Sequence, residues 1–208
     1  SLFFGDNVST AQVIDLARDV RTEGITSAKD CLDLPKLCGV VEKAAKDLRL
    51  TLPVEPARFS LAQLEERGGF DNSLVGLIRE LDVLTALLET QAQRSEGLEN
   101  CWRRAGELVA QLRRWQKGAD ANYVRWGETY TLSLQLNATP LVIASIMKKQ
   151  MSGHPRAWIF TSATLAVQRD FGHYCGEMGL EGAESAFWDS PFDYETQALL
   201  YAPTGLPD

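Results

Sequence analysis

Two hydroxyls around an alanine are the most chemically suggestive feature of the chain. Thr161-Ser162-Ala163-Thr164 follows the apolar run Ala157-Trp158-Ile159-Phe160, which is bounded by breakers and reads as a buried strand of an α/β sheet. In open α/β sheets functional side chains collect at the carboxyl ends of strands, where the loops face a crevice. Hydroxyls placed there bridge neighbouring groups by short hydrogen bonds. The competing reading is a polar strand end that caps the next helix. Nucleophilic chemistry at Ser162 needs a base, and the sequence puts neither His154 nor His173 beside it.

A second candidate is a basic, aromatic helix. Trp102, Arg103, Arg104, Arg113, Arg114, Trp115 and Lys117 share one segment with Glu107 the only acid between them, and Trp126 follows. Single-stranded nucleic acid is held by a positive groove with aromatic platforms. Arg103, Arg114 and Lys117 fall within about 60° of one another on a helical wheel at about 100° per residue, so a one-sided stripe is feasible. Against this, the two tryptophans suit a helical core and the arginines a solvated face. Lys148 and Lys149, with Arg156, form a smaller basic cluster that could contact phosphate or simply complement a helix C-terminus. His154 lies in a Gly-His-Pro turn, His173 reads as a core histidine, and Glu65-Glu66 as a solvated helix end.

Metal and phosphate chemistry find little support. Cys31, Cys38, Cys101 and Cys175 match no zinc or iron–sulfur spacing and read as reduced thiols of a cytoplasmic protein. No Gly-x-x-x-x-Gly-Lys-[Ser/Thr] loop and no Asp-Glu-Ala-His motif occurs, so the chain as it stands lacks a phosphoryl-transfer site and needs no cofactor of its own.

The elements that must position these residues change in character along the chain. Residues 1–121 read as helical. Ser9 and Ser60, each with Gln three residues on, have capping-box spacing, and Gly24 is expected to end the first helix. A second helix is expected from Leu37 to Leu50 with Leu37, Val40, Val41, Ala44 and Leu48 inward. Leu74, Leu77, Ile78, Leu81, Leu84 and Leu88, then Leu98, Ala105, Leu108, Leu112 and Trp115, form two stripes joined by Arg94-Ser95-Glu96-Gly97, an antiparallel helical hairpin. Beyond Asn122 the period falls to two: Tyr130, Leu132, Leu134 and Leu136 read as a strand with Tyr123–Trp126 as hairpin partner. Thr139-Pro140 reads as a helix start, Asp170–Met178 as a helix and Ala198–Tyr201 as a strand.

Composition agrees with a folded protein. The 208 residues are 45% hydrophobic and 24% charged with net charge −7. The eight acids after Arg169, with no Lys or Arg among them, leave residues 1–169 at +1, so overall acidity does not exclude a nucleic-acid partner. No apolar run reaches the ~18 residues of a membrane span, so no membrane partner is expected. The opening Ser1-Leu2-Phe3-Phe4-Gly5-Asp6 lacks Met and does not read as a signal peptide, so the chain reads as a piece of a longer one. The expected class is mainly α: a helical part joined to a partial α/β remnant.

Trp158-Ile159-Phe160-Thr161-Ser162-Ala163-Thr164-Leu165, Asp170-Phe171-Gly172-His173-Tyr174, Ser190-Pro191-Phe192-Asp193-Tyr194 and Gln197-Ala198-Leu199-Leu200-Tyr201 together resemble the DinG/XPD-like group of superfamily 2 DNA helicases, in particular its YoaA-like branch. Leu2-Phe3-Phe4-Gly5 and Asn137-Ala138-Thr139-Pro140-Leu141 are similar to flanking segments of that branch. The resemblance implies that residues 1–7 are a motor edge after the DEAH box, 8–121 the helical Arch, 122–189 part of the first motor domain and 190–208 the start of the second. It implies that the Arch helps enclose single-stranded DNA and that Thr161, Ser162, Ala163 and Thr164 couple ATP hydrolysis to DNA engagement. The longer protein would be a 5′-to-3′ repair helicase using ATP, Mg²⁺ and a 4Fe–4S cluster whose cysteines lie outside this chain. Two rivals stand beside it: a helical module that binds a protein partner or a second copy of itself, and a small α/β enzyme centred on Ser162.

Overall fold

Ser9 and Ser60 each end a short strand and open a helix in one step. Ser9 Oγ accepts the amide of Gln12 at 3.2 Å while Gln12 Oε1 accepts the amide of Ser9 at 2.7 Å. Ser60 and Gln63 repeat the exchange at 3.3 and 2.9 Å. These boxes satisfy helix-end donors that nothing else reaches. They connect β1 (Asp6–Ser9) to α1 (Thr10–Ser27) and β2 (Ala57–Ser60) to α3 (Leu61–Glu65).

The computed structural model describes residues 5–118, 122–153 and 156–199. The chain divides into two compact units, Ser1–Val142 and Ile143–Asp208. In the first, α2 (Asp33–Leu50), α4 (Phe70–Gln91) and α5 (Glu96–Lys117) join α1. α1 packs on α2, α2 on α4, α4 on α5 and α5 on α1, closing a four-helix ring. The expected hairpin, α4–α5, is therefore half of a larger body. Leu16, Leu34, Leu48, Leu74, Leu77, Leu81, Leu84, Leu88 and Leu98 are fully buried in its core, each contributing about 1.5–3 kcal/mol by burial.

Beneath the helices lies an antiparallel sheet in the order β1-β4-β3-β2, where β3 is Tyr123–Thr129 and β4 is Leu134–Pro140. The short β1 and β2 escaped the sequence reading because their partners are distant: Val8 faces Leu136 and Phe59 faces Gly127. Val8, Phe59, Leu134 and Leu136 point at the helices and join the core. Arg49, at the end of α2, is only 6% exposed. Its Nε and Nη2 donate to Tyr130 O at 3.0 and 2.8 Å, its Nη1 to Leu52 O and Pro53 O at 3.2 and 2.8 Å, and its Nη2 to Val54 O at 3.0 Å. One guanidinium thus binds the loop after α2 to the β3–β4 turn.

Several local expectations are corrected. α1 runs through Gly24 to Ser27; Gly24 is a buried packing position, where a Cβ would lie 2.9 Å from Leu34 Cδ2. α2 starts at Asp33 and buries Leu34, Cys38, Val41, Ala45 and Leu48, a stripe turned by one position that leaves Val40 42% exposed. Packing against α1 and α4 together sets that face. Tyr130 and Leu132 lie in the exposed turn between β3 and β4 rather than in a strand. Thr139-Pro140 does not start a helix: β4 continues to Pro140, and the Thr139 hydroxyl accepts from Trp126 Nε1 at 3.1 Å instead of capping.

In the second unit, α6 (Ala144–Ser152) packs on α7 (Gly172–Met178), and α8 is the short Tyr194–Gln197. Ala157–Phe160 is not a buried strand. It has no regular structure and Ile159 is 84% exposed. A strand exists only with a ladder partner, and none pairs with it among the described residues. Trp158 stacks on Phe160 instead (6.5 Å, 11°), and Phe160 meets the Tyr174 edge. Ala198 and Leu199 have no regular structure, and the rest of that expected strand, like His154, lies outside the described residues. His173 is exposed on α7, not a core residue.

Arg49→Met should destabilise the first unit by on the order of 3 kcal/mol in urea unfolding, because the carbonyls it holds, Leu52 O buried and the others partly so, lose their donors at about 1–3 kcal/mol each before water compensates. Arg49→Lys should recover only part, since an ammonium cannot span the same fork.

Candidate functional site

α5 carries the basic cluster and is defined sharply at both ends. Ser95 Oγ accepts the Leu98 amide at 3.1 Å, and Gly118 closes the helix at φ +58°. A side chain at Gly118 would be strained and would also strike the Arg125 guanidinium, 2.3 Å from an added Cβ. Arg125 occupies that space, donating to Trp115 O at 2.8 Å and Gln116 O at 3.0 Å. It satisfies carbonyls at the negative end of the helix.

The arginines of α5 fan out to separate partners. Arg103 is exposed and bonds Glu107 at 3.0 Å and Asn100 at 2.8 Å on the same helix. Arg104 reaches Asp19 on α1 at 2.6 Å, and Arg113 reaches Asp82 on α4. Arg114 approaches Asp6 of β1 at 3.4 Å. Arg103, Arg113, Arg114 and Lys117 are exposed; Arg104, Arg113 and Arg114 reach neighbouring elements, whereas the contacts of Arg103 stay on α5. Trp115 is corrected as a stacking platform. It is 5% exposed, donates from Nε1 to Asn137 O at 2.9 Å and meets Phe70 edge-on at 6.2 Å. Its indole is needed to seat α5 on the sheet.

The structure nevertheless brings Arg114 and Trp115 together at a cavity of about 230 Å³ under the end of α5. Val8, Leu136 and Ala138 form its apolar wall, with Tyr123, Arg125 and Asp6 at its rim. Sequence reasoning missed Tyr123 and Arg125; the two-residue rhythm of β3, with Gly127 inward, was the signal that could have found them.

Thr161-Ser162-Ala163-Thr164 lies apart from these residues in sequence and in the second unit. Ser162 Oγ accepts the Thr164 amide at 3.2 Å and shares a hydrogen bond with Thr164 Oγ1 at 3.2 Å. The hydroxyls bridge to each other in an exposed turn. Among the described residues Ser162 meets no base. Lys148 pairs with Glu181 at 3.0 Å, and hydrogen bonds from the Glu181 backbone and from Lys148 hold that carboxyl below its usual range. Lys149 is exposed in the last turn of α6.

No three His, Cys, Asp or Glu side chains converge to hold a metal ion among the described residues. The cysteines are unbridged. Burial pushes the Cys38 thiol up to about 11 and raises that of Cys101. No helix among the described residues is long and apolar enough to cross a membrane.

A helical ring mounted on a small antiparallel sheet, with a hydroxyl-bridged turn in a separate unit, thus defines a mainly helical protein carrying a partial motif-bearing unit. The whole chain is 33% identical over 207 residues to the ATP-dependent DNA helicase YoaA of Escherichia coli and 30% identical over 209 residues to that of Haemophilus influenzae. The chain spans about a third of the length of these curated relatives, 32% and 33%. The resemblance to the YoaA-like branch carried by the motifs therefore extends over every part of the sequence. No family profile matches, and no solved structure matches.

Two measurements check this placement of residues. Trp115→Ala should cost about 3–5 kcal/mol of stability as a core deletion, whereas Arg103→Ala should change it by less than about 0.5 kcal/mol as an exposed pair. In the native chain at pH 8, a thiol reagent should label Cys31 and Cys175 well before Cys38 and Cys101, whose raised pKa values deplete the thiolate; equal rates for all four would contradict the buried placement.

Proposed function

We propose that this chain is the helical Arch region with adjoining motor edges of an ATP-dependent DNA helicase, the helices helping to enclose single-stranded DNA. The observation that carries this reading is the end-to-end alignment of the chain with a third of two ATP-dependent DNA helicases. On this reading residues 8–121 form the Arch, 1–7 and 122–189 belong to the first motor domain and 190–208 begin the second. ATP with Mg²⁺, and a 4Fe–4S cluster, belong to the remainder of the longer protein, which would act 5′ to 3′ in DNA repair.

Within this chain the division of labour is physical. The exposed Arg103, Arg114 and Lys117 supply sequence-independent attraction for phosphates. The partners Glu107 and Asp6 are exposed carboxylates that a phosphate can displace, since surface ion pairs are worth only about 0–1 kcal/mol. Ser162 and Thr164 form a turn whose two hydroxyls share a hydrogen bond, which suits a relay between nucleotide state and DNA grip.

In the full-length protein, replacing Arg103, Arg114 and Lys117 together by Ala should weaken binding to oligothymidylate and reduce the salt slope by about 2, at ~0.7 per phosphate contact on a single strand. Unchanged affinity at low salt would remove this role from α5. Ser162→Ala with Thr164→Ala should lower unwinding about tenfold, or ~1.4 kcal/mol, while DNA-stimulated ATP hydrolysis is largely retained. Equal loss of both activities would argue for a site of bond-making instead of coupling.

A further inference from the structure

The side of the sheet opposite the helices has a composition that packing does not explain. Along β4, Leu134, Leu136 and Ala138 face the helices, so Gln135, Asn137 and Thr139 face away. Trp126 stands at the centre of this outer side, opposite Asn137 in the ladder, and Asn7 flanks Asn137 on β1. The Arg58 guanidinium lies 5.3 Å over the Trp126 ring while its Nε bonds Glu128 at 2.9 Å. Asn7, Arg58 and Val124 around the indole are exposed.

Asn137 supplies an independent observation. It is 2% exposed, its Oδ1 accepts from Gln135 Nε2 at 2.8 Å, and its Nδ2 has no partner among the described residues. Buried amide donors are almost always satisfied, and leaving one unpaired is costly. A sheet side that only faced water would need neither a central tryptophan nor an amide with a spare donor. A π-surface, a cation stacked on it and an unpaired N–H beside it complement a nucleobase, which offers a π-face, ring and carbonyl acceptors and a phosphate nearby.

We infer that the outer side of the β1-β4-β3-β2 sheet is a base-stacking platform for single-stranded nucleic acid, with Trp126 the stacking residue and Asn137 the donor to a base edge. This deepens the helicase reading and rests on it. The platform is separate from the α5 arginines and works differently: its central contact is the π-face of Trp126, so the grip is on bases more than on phosphate charge.

The test uses the full-length protein and oligothymidylate across a salt series. Trp126→Ala should weaken binding about 5- to 100-fold, the range of one base–aromatic stack, with the salt slope unchanged. Trp126→Phe should stay within about threefold of the parent, because any aromatic face stacks. Replacing the bases by abasic sites should abolish the difference between Trp126→Ala and the parent. Because Trp126→Ala could disturb folding, the unmodified protein is also irradiated with an oligonucleotide carrying 5-iododeoxyuridine, and the cross-link should map to the peptide containing Trp126. Parent protein that binds DNA while Trp126→Ala matches it, or cross-links that avoid β3 and β4, would overturn the platform alone. Parent protein that binds no DNA would overturn the helicase reading with it.

Discussion

The pairing of β1 with β4 is the constraint on which the rest depends. It holds Asn7 against Asn137, at the ~4.8 Å spacing of neighbouring strands, although the intervening chain makes the whole helical ring. A helical excursion pinned at its base must return to where it started. α1 and α4 therefore leave the sheet and α2 and α5 come back. Thr10 strengthens the pin: its hydroxyl, 3% exposed, accepts the Leu134 amide at 3.0 Å. Closing so long a loop is entropically expensive but grows only slowly with length, so a large body can hang from a four-residue strand once its own core pays for folding.

Polar anchors distribute that constraint around the sheet. Arg49 fastens the end of α2 to the β3–β4 turn, and Thr129, fully buried, accepts the Ala57 amide and donates to Glu55 O, each at 3.0 Å. Trp115 and Arg125 do the same for the end of α5. Each anchor joins a helix end or loop to the strand beneath it through backbone carbonyls, so the contacts depend on chain path and tolerate variation in neighbouring side chains. At the other end of the ring, Arg94 pairs with Asp30 to join the α4–α5 and α1–α2 connections, an exposed link that contributes little.

Local signals in the sequence were read well, and long-range ones were not. The capping residues Ser9 and Ser60, the leucine stripes of α4 and α5 and the β3–β4 hairpin are encoded within a few residues of one another and were legible. β1 and β2 were invisible because four residues carry no period and their partners lie far along the chain. The α2 stripe was misphased because two neighbouring helices, not hydropathy alone, choose the buried face. Ala157–Phe160 reads as a buried strand and is none among the described residues, since periodicity records what a segment can pair with and not whether a partner is beside it. At the candidate site, Arg103, Arg114 and Lys117 were legible as exposed residues of one helix, although Arg114 turns to Asp6 of β1. Trp115 was not, because a tryptophan at a stripe position serves packing and stacking equally well until the opposite wall, here Phe70 and Asn137, is known.

The separation of charge from aromaticity has a consequence for how such a body could hold a polymer. On α5 most of the cations are exposed and Trp115 is buried, whereas on the sheet Trp126 is partly exposed beneath Arg58, which pairs with Glu128. A strand gripped only by phosphates slides freely, since every phosphate is alike and screening weakens the hold. A strand gripped only by stacking moves in steps of one base. On the proposed reading, two grips on different elements, one on a helix and one on the sheet that anchors it, would let the long-range attraction recruit the strand and the short-range stack set its register. Because β1 and β4 pin both elements to one base, the spacing between the two grips is fixed by backbone hydrogen bonds and not by flexible side chains.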